Sequence, residues 1–487
     1  MAEFQVPLII RGKVIEDYDV EFGGRGGAAS FTTPSVSKYL SDLVLTRPSA
    51  MADLYKIDFS QILDYLEALG SRLNIEENGH MQRALDLSIR TSGLSEPILR
   101  HSFRTIHNLF NRELVSQAAD KTIGIAHLEG WVDHMLGNAG RASIRAFGAR
   151  GVHIIAGNVP EISAITIIRN AVTRSDAIIK TPSNDPLTAM AIARTMVEMA
   201  PDHPITRHVS VAYWKGGDEA VEERLYRPAN VEKIIAWGGL ASIRHISKYL
   251  QPGIDLITLD PKLSSTIIGR EAFVDDATMR SVAELTALDV GAFNQEACVN
   301  ARVIYAQCGT DAAGLEKANR FGAMVMEEIK ALPQHLSGPA VRIDPKLDGE
   351  LKALRITSEW HKIYGGGPEG AVVVSQIDEP VDFARLLANR VANIVPIDDI
   401  EIPVRAVTAY TQTIGIFPEE LKRDLRDRLA LHGAQRIVSL GGAALTVHTG
   451  PQDGIEPLRR MCKWIMEESR ERSYLDDVFA APAEEMA

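Results

Sequence analysis

The feature that most constrains this chain is an alternation of short β-prone runs with helical stretches between residues 152 and 259. The runs are VHIIA (152–156), AIIK (177–180), HVSVAY (208–213), KIIAW (233–237) and DLITL (255–259), and helical spacing fills 161–174, 186–199, 218–226 and 240–250. Strands separated by helices of this length imply βαβ units, hence a parallel sheet covered by helices. In such sheets ligands bind beyond the carboxyl ends of the strands. Attention therefore falls on Gly157-Asn158-Val159-Pro160, Lys180-Thr181-Pro182-Ser183 and Gly238-Gly239, which follow three of the runs. No GxGxxG follows the first run, so a dinucleotide would have to be held in another way.

A chain of 487 residues is too long for one ordinary core and implies two or three domains. Residues 1–120 read as a helical N-terminal part of the first domain, after a strand-like start at 8–15. Asp58 and Gln61 have capping-box spacing, and Phe59, Ile62, Leu63, Leu66, Leu69 and Leu73 follow at helical intervals. Ser95 opens a second helix with the stripe Leu99, Phe103, Ile106 and Phe110. The glycine-rich run 23–27 lacks the strand-to-helix setting of a phosphate loop. Residues 121–270 are the expected nucleotide-binding domain and 271–450 a second α/β region with runs at 301–306, 372–375, 407–410 and 436–440. The remainder, 451–487, reads as one amphipathic helix and a frayed tail.

The formal charge of −12 and the lack of a dense basic cluster exclude sequence-independent nucleic-acid binding, which needs cations to displace counterions. Every apolar run is shorter than a bilayer requires, so no membrane span is expected. The first twenty residues have neither the basic start nor the cleavage site of a secretory signal. Three scattered cysteines, Cys298, Cys308 and Cys462, make neither a disulfide framework nor a CxxC metal site, and a cytoplasmic location fits them.

Four segments, in order, resemble the aldehyde dehydrogenase superfamily. AIIKTPSNDPLTA (177–189) is similar to that family's "VVxKPS…P.TA" run, and Asn158-Val159-Pro160 to its "PWNFP" segment. Ala236-Trp237-Gly238-Gly239 stands where the family has "FTGS", and FNQEAC (293–298) where it has "F.NxGQxC". NQEACVNARVIY (294–305), EPVDFARLLANRVANIVPIDD (379–399) and GPQDGIEPLRRMCKWI (450–465) resemble more closely the acyl-CoA reductase branch typified by LuxC. The resemblance implies an α/β, aldehyde-dehydrogenase-like fold, with a Rossmann-type cofactor domain and an α/β catalytic domain bearing the cysteine.

It also implies roles. Cys298 would be the nucleophile, although most free cysteines are simply small buried hydrophobes. An ordinary thiol is only a few per cent ionised at neutral pH, so its surroundings are expected to supply backbone N–H groups or a helix end. Asn158 would donate to the oxyanion; a turn asparagine capping the next helix would look the same. Lys180 would bind the adenosine ribose of a nicotinamide cofactor, with Pro182, Ser183, Gly238, Gly239 and Leu259 lining the same site. NAD-preferring relatives carry a glutamate where Ser183 stands here, and a serine leaves room for a 2′-phosphate. NADPH is therefore the expected cofactor, with NADH possible.

Two departures matter. Thr258 stands where aldehyde-oxidising members have a glutamate that activates water, and Asp260, close by, has the wrong spacing. Glu296 is the other neighbouring carboxylate. The glutamate expected to hold the nicotinamide ribose has no counterpart at Tyr364-Gly365-Gly366-Gly367-Pro368. His448 lies in the loop that borders the substrate tunnel in the family. Without the base, an acyl-cysteine should persist for reduction. The expected reaction is metal-free reduction of an acyl-CoA or acyl-carrier thioester to a fatty aldehyde. An acyl-protein synthetase partner and a homo-oligomer would accompany it. The alternatives are an acyltransferase or thioesterase using the same cysteine, an ordinary aldehyde dehydrogenase, and a non-catalytic assembly subunit.

Overall fold

Arg150–Ile154, Asp176–Lys180, Val209–Ala212, Lys233–Trp237 and Asp255–Leu259 form the parallel sheet that the alternation implies. The structure is a computed structural model that describes residues 3–23, 29–135, 141–259, 262–356, 359–445, 450–469 and 479. Across the sheet the strands run Asp255–Leu259, Lys233–Trp237, Arg150–Ile154, Asp176–Lys180, Val209–Ala212, then the antiparallel hairpin Leu8–Ile10 and Lys13–Ile15. After the N-terminal hairpin at one edge, the parallel part starts in the middle with Arg150–Ile154, builds toward the hairpin through Val209–Ala212, then crosses back to add the other two strands. That reversal opens a crevice between the carboxyl ends of Arg150–Ile154 and Lys233–Trp237.

Both faces of this sheet are covered. Ala177, Ile179, Val209 and Val211 pack on one side, into a core shared with the helices Phe59–Arg72, Gly79–Thr91, Glu96–Thr105 and Thr188–Met199. Ile178, Val152, Ile154, Ile234 and Ala236 pack on the other. Successive strand residues face opposite cores, which is why the runs read as continuously apolar rather than alternating. Each fully buried isoleucine contributes roughly 1.5–3 kcal/mol. The Asp58–Gln61 capping box forms in both directions at the start of Phe59–Arg72.

A second sheet runs His361–Gly365, Ala371–Ser375, Val391–Pro396, Ala301–Ala306, Leu263–Ile268, Thr411–Phe417, Arg436–Ser439, parallel except for the first strand. The helices Asp276–Gly291 and Ala312–Ala331 cover its 301–306 and 371–396 strands. The strand expected at 407–410 begins instead at Thr411, because Thr408 and Thr411 close a turn there, Thr411 donating its N–H to the Thr408 carbonyl at 2.8 Å.

The C-terminal segment differs most from expectation. Its described residues hold a short helix, Pro457–Met461, followed by a strand, Lys463–Ser469, antiparallel to Arg141–Phe147, which in turn pairs with Val132–Met135. Trp464 and Ile465 are β-prone, and a seven-residue ladder outweighs the helical spacing. Among the described residues no helix is long and apolar enough to cross a membrane.

Candidate active site

Cys298 sits on the turn that enters the strand Ala301–Ala306, in the middle of the second sheet. The chain reaches it through Phe293, Asn294 and Gln295, all non-glycine residues with φ of +51°, +51° and +63°. Three consecutive left-handed residues cost on the order of 1–3 kcal/mol each and persist only where neighbours over-determine them. The neighbours are identifiable. Gln295 donates to the carbonyls of Ala301 (2.8 Å) and Val391 (2.9 Å) and accepts from the Val391 N–H (2.9 Å). The Asn294 side-chain Oδ1 accepts from the Gly338 N–H at 2.8 Å, and the Phe293 N–H donates to the Leu336 carbonyl at 2.8 Å. Asn300 accepts from Ala297 N–H at 3.2 Å and donates to the Asp289 carbonyl at 3.2 Å. Ser264 donates to the Cys298 carbonyl at 2.7 Å and accepts from Thr413 N–H at 3.1 Å. The polar residues around the cysteine thus fix the backbone that presents it.

Asn158 arrives from the first domain, between Arg150–Ile154 and the helix Glu161–Val172. Its amide donates to the Glu296 carbonyl at 3.3 Å, while its own oxygen is buried with no partner. The loop is tight: a Cβ on Gly157 would stand 2.4 Å from Asn184 Oδ1, and Asn184 donates to the Gly157 carbonyl at 2.6 Å. The sequence places Asn158 and Cys298 on different domains, and the fold brings them to one site.

The strand Leu263–Ile268 has a register irregularity against both neighbours. Ser264 and Ser265 face Ala301 and Val303, leaving Arg302 as the extra residue; Leu263 and Ser265 face Thr411 and Ile414, leaving an extra residue at Gln412–Thr413. Bulges re-aim side chains, and these two lie beside the Cys298 turn, where Gln412 and Arg302 both favour the thiolate. Gln412 also donates to Asp453, in the turn Gln452–Ile455. Arg169 grips the same turn through Gln452 Oε1 at 2.7 Å.

The thiol was expected to be shifted toward its ionised form. Burial instead raises its pKa, the Asp453 carboxylate adds to the rise, and the opposing effects of Gln412, the backbone and Arg302 do not cancel them. Donors are present as expected, but the apolar surroundings and a like charge outweigh them. Burial pushes Cys308 and Cys462 further, to about 12.

The residues expected to hold a cofactor line one edge of the first sheet. Lys180 ends Asp176–Lys180, with its ammonium 5.4 Å from the Trp214 ring centre and 6.0 Å from that of Tyr213. Burial pulls it down to about 8, with Glu222 opposing the shift. Thr181 is buried, and Pro182 and Ser183 are half-buried. Gly238 and Gly239 lead into the helix Leu240–Ser247, whose N-terminus no side chain caps, and the space beside Gly239 is open. An unsatisfied helix start suits a phosphate. A half-buried lysine whose ammonium has no hydrogen-bond partner among the described residues, and an open helix start, fit a dinucleotide. Leu259 ends its strand beside Trp237 and is buried, so it offers backbone rather than side chain.

Thr258 pairs with Ala236 inside the strand. The Glu296 carboxylate lies beside Gly93, where an added Cβ would stand 3.2 Å from Oε1, and its backbone carbonyl is held by Asn158. Gly365, Gly366 and Gly367, all at positive φ, form the hairpin where the family has its ribose-binding glutamate; Glu369, the nearest carboxylate in sequence, faces Arg390 at 3.7 Å. Asp260, His448 and residues 24–27 lie outside the described residues. Sequence reasoning missed Gln412, Arg302, Asp453 and Arg169. Only Asp453-Gly454 carried a local signal, a dipeptide favoured in tight turns.

The family described as Acyl-CoA reductase (LuxC) matches residues 54–464. Among curated proteins, the long-chain acyl-protein thioester reductase of Vibrio harveyi is 26% identical over 485 residues, covering 97% of this chain and 94% of that protein. Its counterpart from Photorhabdus luminescens is 28% identical, covering 85% and 83%. Among solved structures, aldehyde dehydrogenase 21 from Physcomitrella patens aligns with a TM-score of 0.72 at 12% identity, over 96% of this chain and 99% of that one. The NADP-dependent glyceraldehyde-3-phosphate dehydrogenase from Bacillus halodurans C-125, complexed with NADP, gives 0.70 at 12% identity over 96% and 100%. The chain belongs to the acyl-CoA reductase (LuxC) family, oxidoreductases acting on acyl groups, and has the aldehyde-dehydrogenase fold.

Proposed function

We propose that this protein reduces a long-chain acyl thioester to the aldehyde through an acyl-Cys298 intermediate, with NADPH as its preferred reductant. The observation that carries the reading is the meeting of Asn158 with the Cys298 turn at the mouth of the crevice. Cys298 attacks the thioester carbonyl as thiolate, and the Asn158 amide exchanges its long bond to Glu296 for the developing oxyanion. The carrier sulfur leaves with the proton that the cysteine gave up. Lys180–Ser183 and Gly238–Gly239 would hold a reduced nicotinamide cofactor, which would supply hydride chemistry at the acyl-cysteine carbonyl. The resulting thiohemiacetal oxyanion re-forms a carbonyl and expels the Cys298 thiolate. With Thr258 in place of a base, water is not activated to intercept the acyl group. Splitting one displacement into two easier steps is what the covalent intermediate contributes.

Ser183 supports NADPH over NADH, since a carboxylate there would repel a 2′-phosphate. For the acyl chain, a narrow apolar pocket lies along Glu161–Val172, lined by Leu109, Leu114, Val115, Ile165, Ile168 and Leu458, with Arg169 on its wall. Arg169 connects that pocket to the turn beside Cys298. The acyl donor is a CoA or protein thioester, the latter being what the relatives' names give as their substrate, and an acyl-protein synthetase partner belongs to the same reading. A homo-oligomer is part of the same reading: Trp131, Met135, Ile465 and Met466 are exposed on or beside the three-stranded sheet of Lys463–Ser469.

The test follows NADPH consumption and aldehyde formation with acyl-CoAs of graded length, for the wild type and Cys298→Ala. Cysteine-dependent oxidation with aldehyde as product supports the reading. Free acid made from aldehyde without CoA would overturn it in favour of an ordinary dehydrogenase. Labelled acyl group kept on Cys298 without NADPH or NADH consumption would indicate acyl transfer.

A further inference from the structure

Glu222 is 2% exposed, although it stands on a short helix, Glu219–Leu225, whose other glutamates, Glu219 and Glu223, face solvent. A carboxylate leaves water to that depth only where donors surround it. Four donors do. Oε1 accepts from Trp214 Nε1 and from the Gly217 N–H, each at 3.3 Å. Oε2 lies 2.5 Å from His245 Nε2 and accepts from the Tyr249 hydroxyl at 3.5 Å. These partners come from separate elements of the first domain. Trp214 follows the strand Val209–Ala212, and its ring centre is 5.4 Å from the Lys180 ammonium. His245 is on Leu240–Ser247, the helix that Gly238 and Gly239 lead into. That helix is lightly anchored: of its eight described residues Ile246 alone is buried, and no side chain caps its start. One apolar anchor fixes a helix poorly against rotation. The bond from His245 to a buried carboxylate is its second attachment, and bonds to a charged acceptor are the strong ones.

We infer that Glu222 is a positioning residue of the cofactor site: its buried carboxylate fastens the helix Leu240–Ser247, through His245, to the Trp214 ring beside Lys180. The inference rests on the reading of Lys180–Ser183 and Gly238–Gly239 as the nicotinamide-cofactor site. The ligand class it serves is an adenine dinucleotide, whose phosphates take the open start of that helix while its adenosine ribose meets Lys180. Ribose and phosphates are covalently joined, so the two protein elements that receive them must keep a fixed spacing. Glu222 acts on that spacing through Trp214 and His245, and a site already held at the right width loses less freedom on binding. A carboxylate suits the task because it accepts from both sides at once, Oε1 toward the strand end and Oε2 toward the helix. The Tyr249 ring stands edge-on to His245, with centres 5.5 Å apart at 77°, and steadies the imidazole from its other side.

The test is calorimetric titration of the full chain, without acyl donor, with NADPH and separately with ADP, which carries adenosine and phosphates but no nicotinamide. His245→Leu removes the bond at a partly exposed position and should weaken both ligands by about tenfold. His245→Gln, whose amide can donate to Oε2, should stay within about threefold of wild type. Glu222→Ala should weaken both ligands at least as much as His245→Leu, and combining the two should change little further, since they act through one bond. Should Glu222→Ala fold poorly, the two His245 variants decide alone. In turnover, His245→Leu should raise the KM for NADPH and leave kcat in place. Wild-type affinity in His245→Leu, equal losses in His245→Leu and His245→Gln, or weaker NADPH with unaltered ADP would each overturn the inference. A wild type that binds neither ligand would sink the cofactor reading along with it, whereas wild-type binding with unaltered variants sinks the inference alone. A chain that shows these losses yet reduces no thioester would sink the proposed reaction and leave the role of Glu222 standing.

Discussion

The Asn158 side-chain amide donates to the backbone carbonyl of Glu296, a residue 138 positions later and two before Cys298, at 3.3 Å. At that length the bond is weak, and under the proposed function its donor would be released to the oxygen of a carbonyl attached to Cys298 as that oxygen gains charge. Asn158→Ala should therefore lower the rate of acyl-enzyme formation by about 100- to 1,000-fold, the usual cost of losing one oxyanion donor. Release of carrier thiol from an acyl-CoA in a single turnover measures it. The loss in stability should be small, on the order of 0.5–1.5 kcal/mol. A rate near wild type would assign Asn158 to holding the turn alone.

Gln295 has the opposite profile. Its side chain bonds three backbone groups, on Ala301 and Val391, and it is 1% exposed. Gln295→Ala leaves those groups unsatisfied and releases a left-handed run that has no local preference for its shape. The expected destabilisation is about 3 kcal/mol, since each buried orphan costs roughly 1–3 kcal/mol. Urea unfolding, with m unchanged, measures it. Activity should fall through misplacement of Cys298, and a glutamate at 295 should not restore it, because a carboxylate cannot donate to Ala301 and Val391.

Much of this arrangement was legible in the chain. The βαβ alternation implied a crevice beyond Ile154 and Trp237, and the segments at Asn158 and Lys180 do follow strands of that parallel sheet. Two kinds of feature were hidden. Residues displaced by a bulge, such as Arg302 and Gln412, carry no signature, because a bulge exists only between paired strands. Leu458, Met461, Cys462 and Ile465 are spaced i, i+3, i+4, i+7, which reads as a helix. Their fate was decided by Arg141–Phe147, more than three hundred residues earlier, whose edge was available for pairing. The rise in the thiol's pKa was hidden for a related reason, since burial and the approach of Asp453 both come from tertiary structure.

Lys180 is an ammonium held against two aromatic rings and brought down to about 8 by burial, with Glu222 opposing the shift. In the free protein it loses its proton within an accessible pH range, whereas an anionic cofactor would favour the charged form. Binding of NADPH should therefore weaken as pH rises from 7 to 9. Equilibrium fluorescence titration in the absence of acyl donor measures it. Lys180→Met should bind more weakly at pH 7, by roughly tenfold, and lose that pH dependence. Equal slopes for the two proteins would remove Lys180 from the cofactor site.

Far from this site, at the amino ends of the same strands, Asp176 is 3% exposed and accepts from Arg11 and from His208 Nδ1, the latter at 2.8 Å, while His208 Nε2 lies 2.9 Å from Asp53. Burial alone would raise the Asp176 carboxyl, but the Arg11 and His208 bonds more than reverse it, and its pKa lies below the ordinary value. A carboxylate whose folded pKa is depressed stabilises the fold fully above its unfolded value of about 3.9 and loses that contribution as pH falls through the folded pKa. The urea midpoint should therefore drop between about pH 5 and pH 3 in the wild type. Asp176→Asn should remove that part of the acid sensitivity. It should also lower stability at pH 7 by about 3–5 kcal/mol, because Arg11 and His208 lose the charge they surround. An Asp176→Asn protein as stable as wild type at pH 7 would mean that Asp53 alone satisfies the histidine, and that the Arg11 contact contributes nothing to the fold.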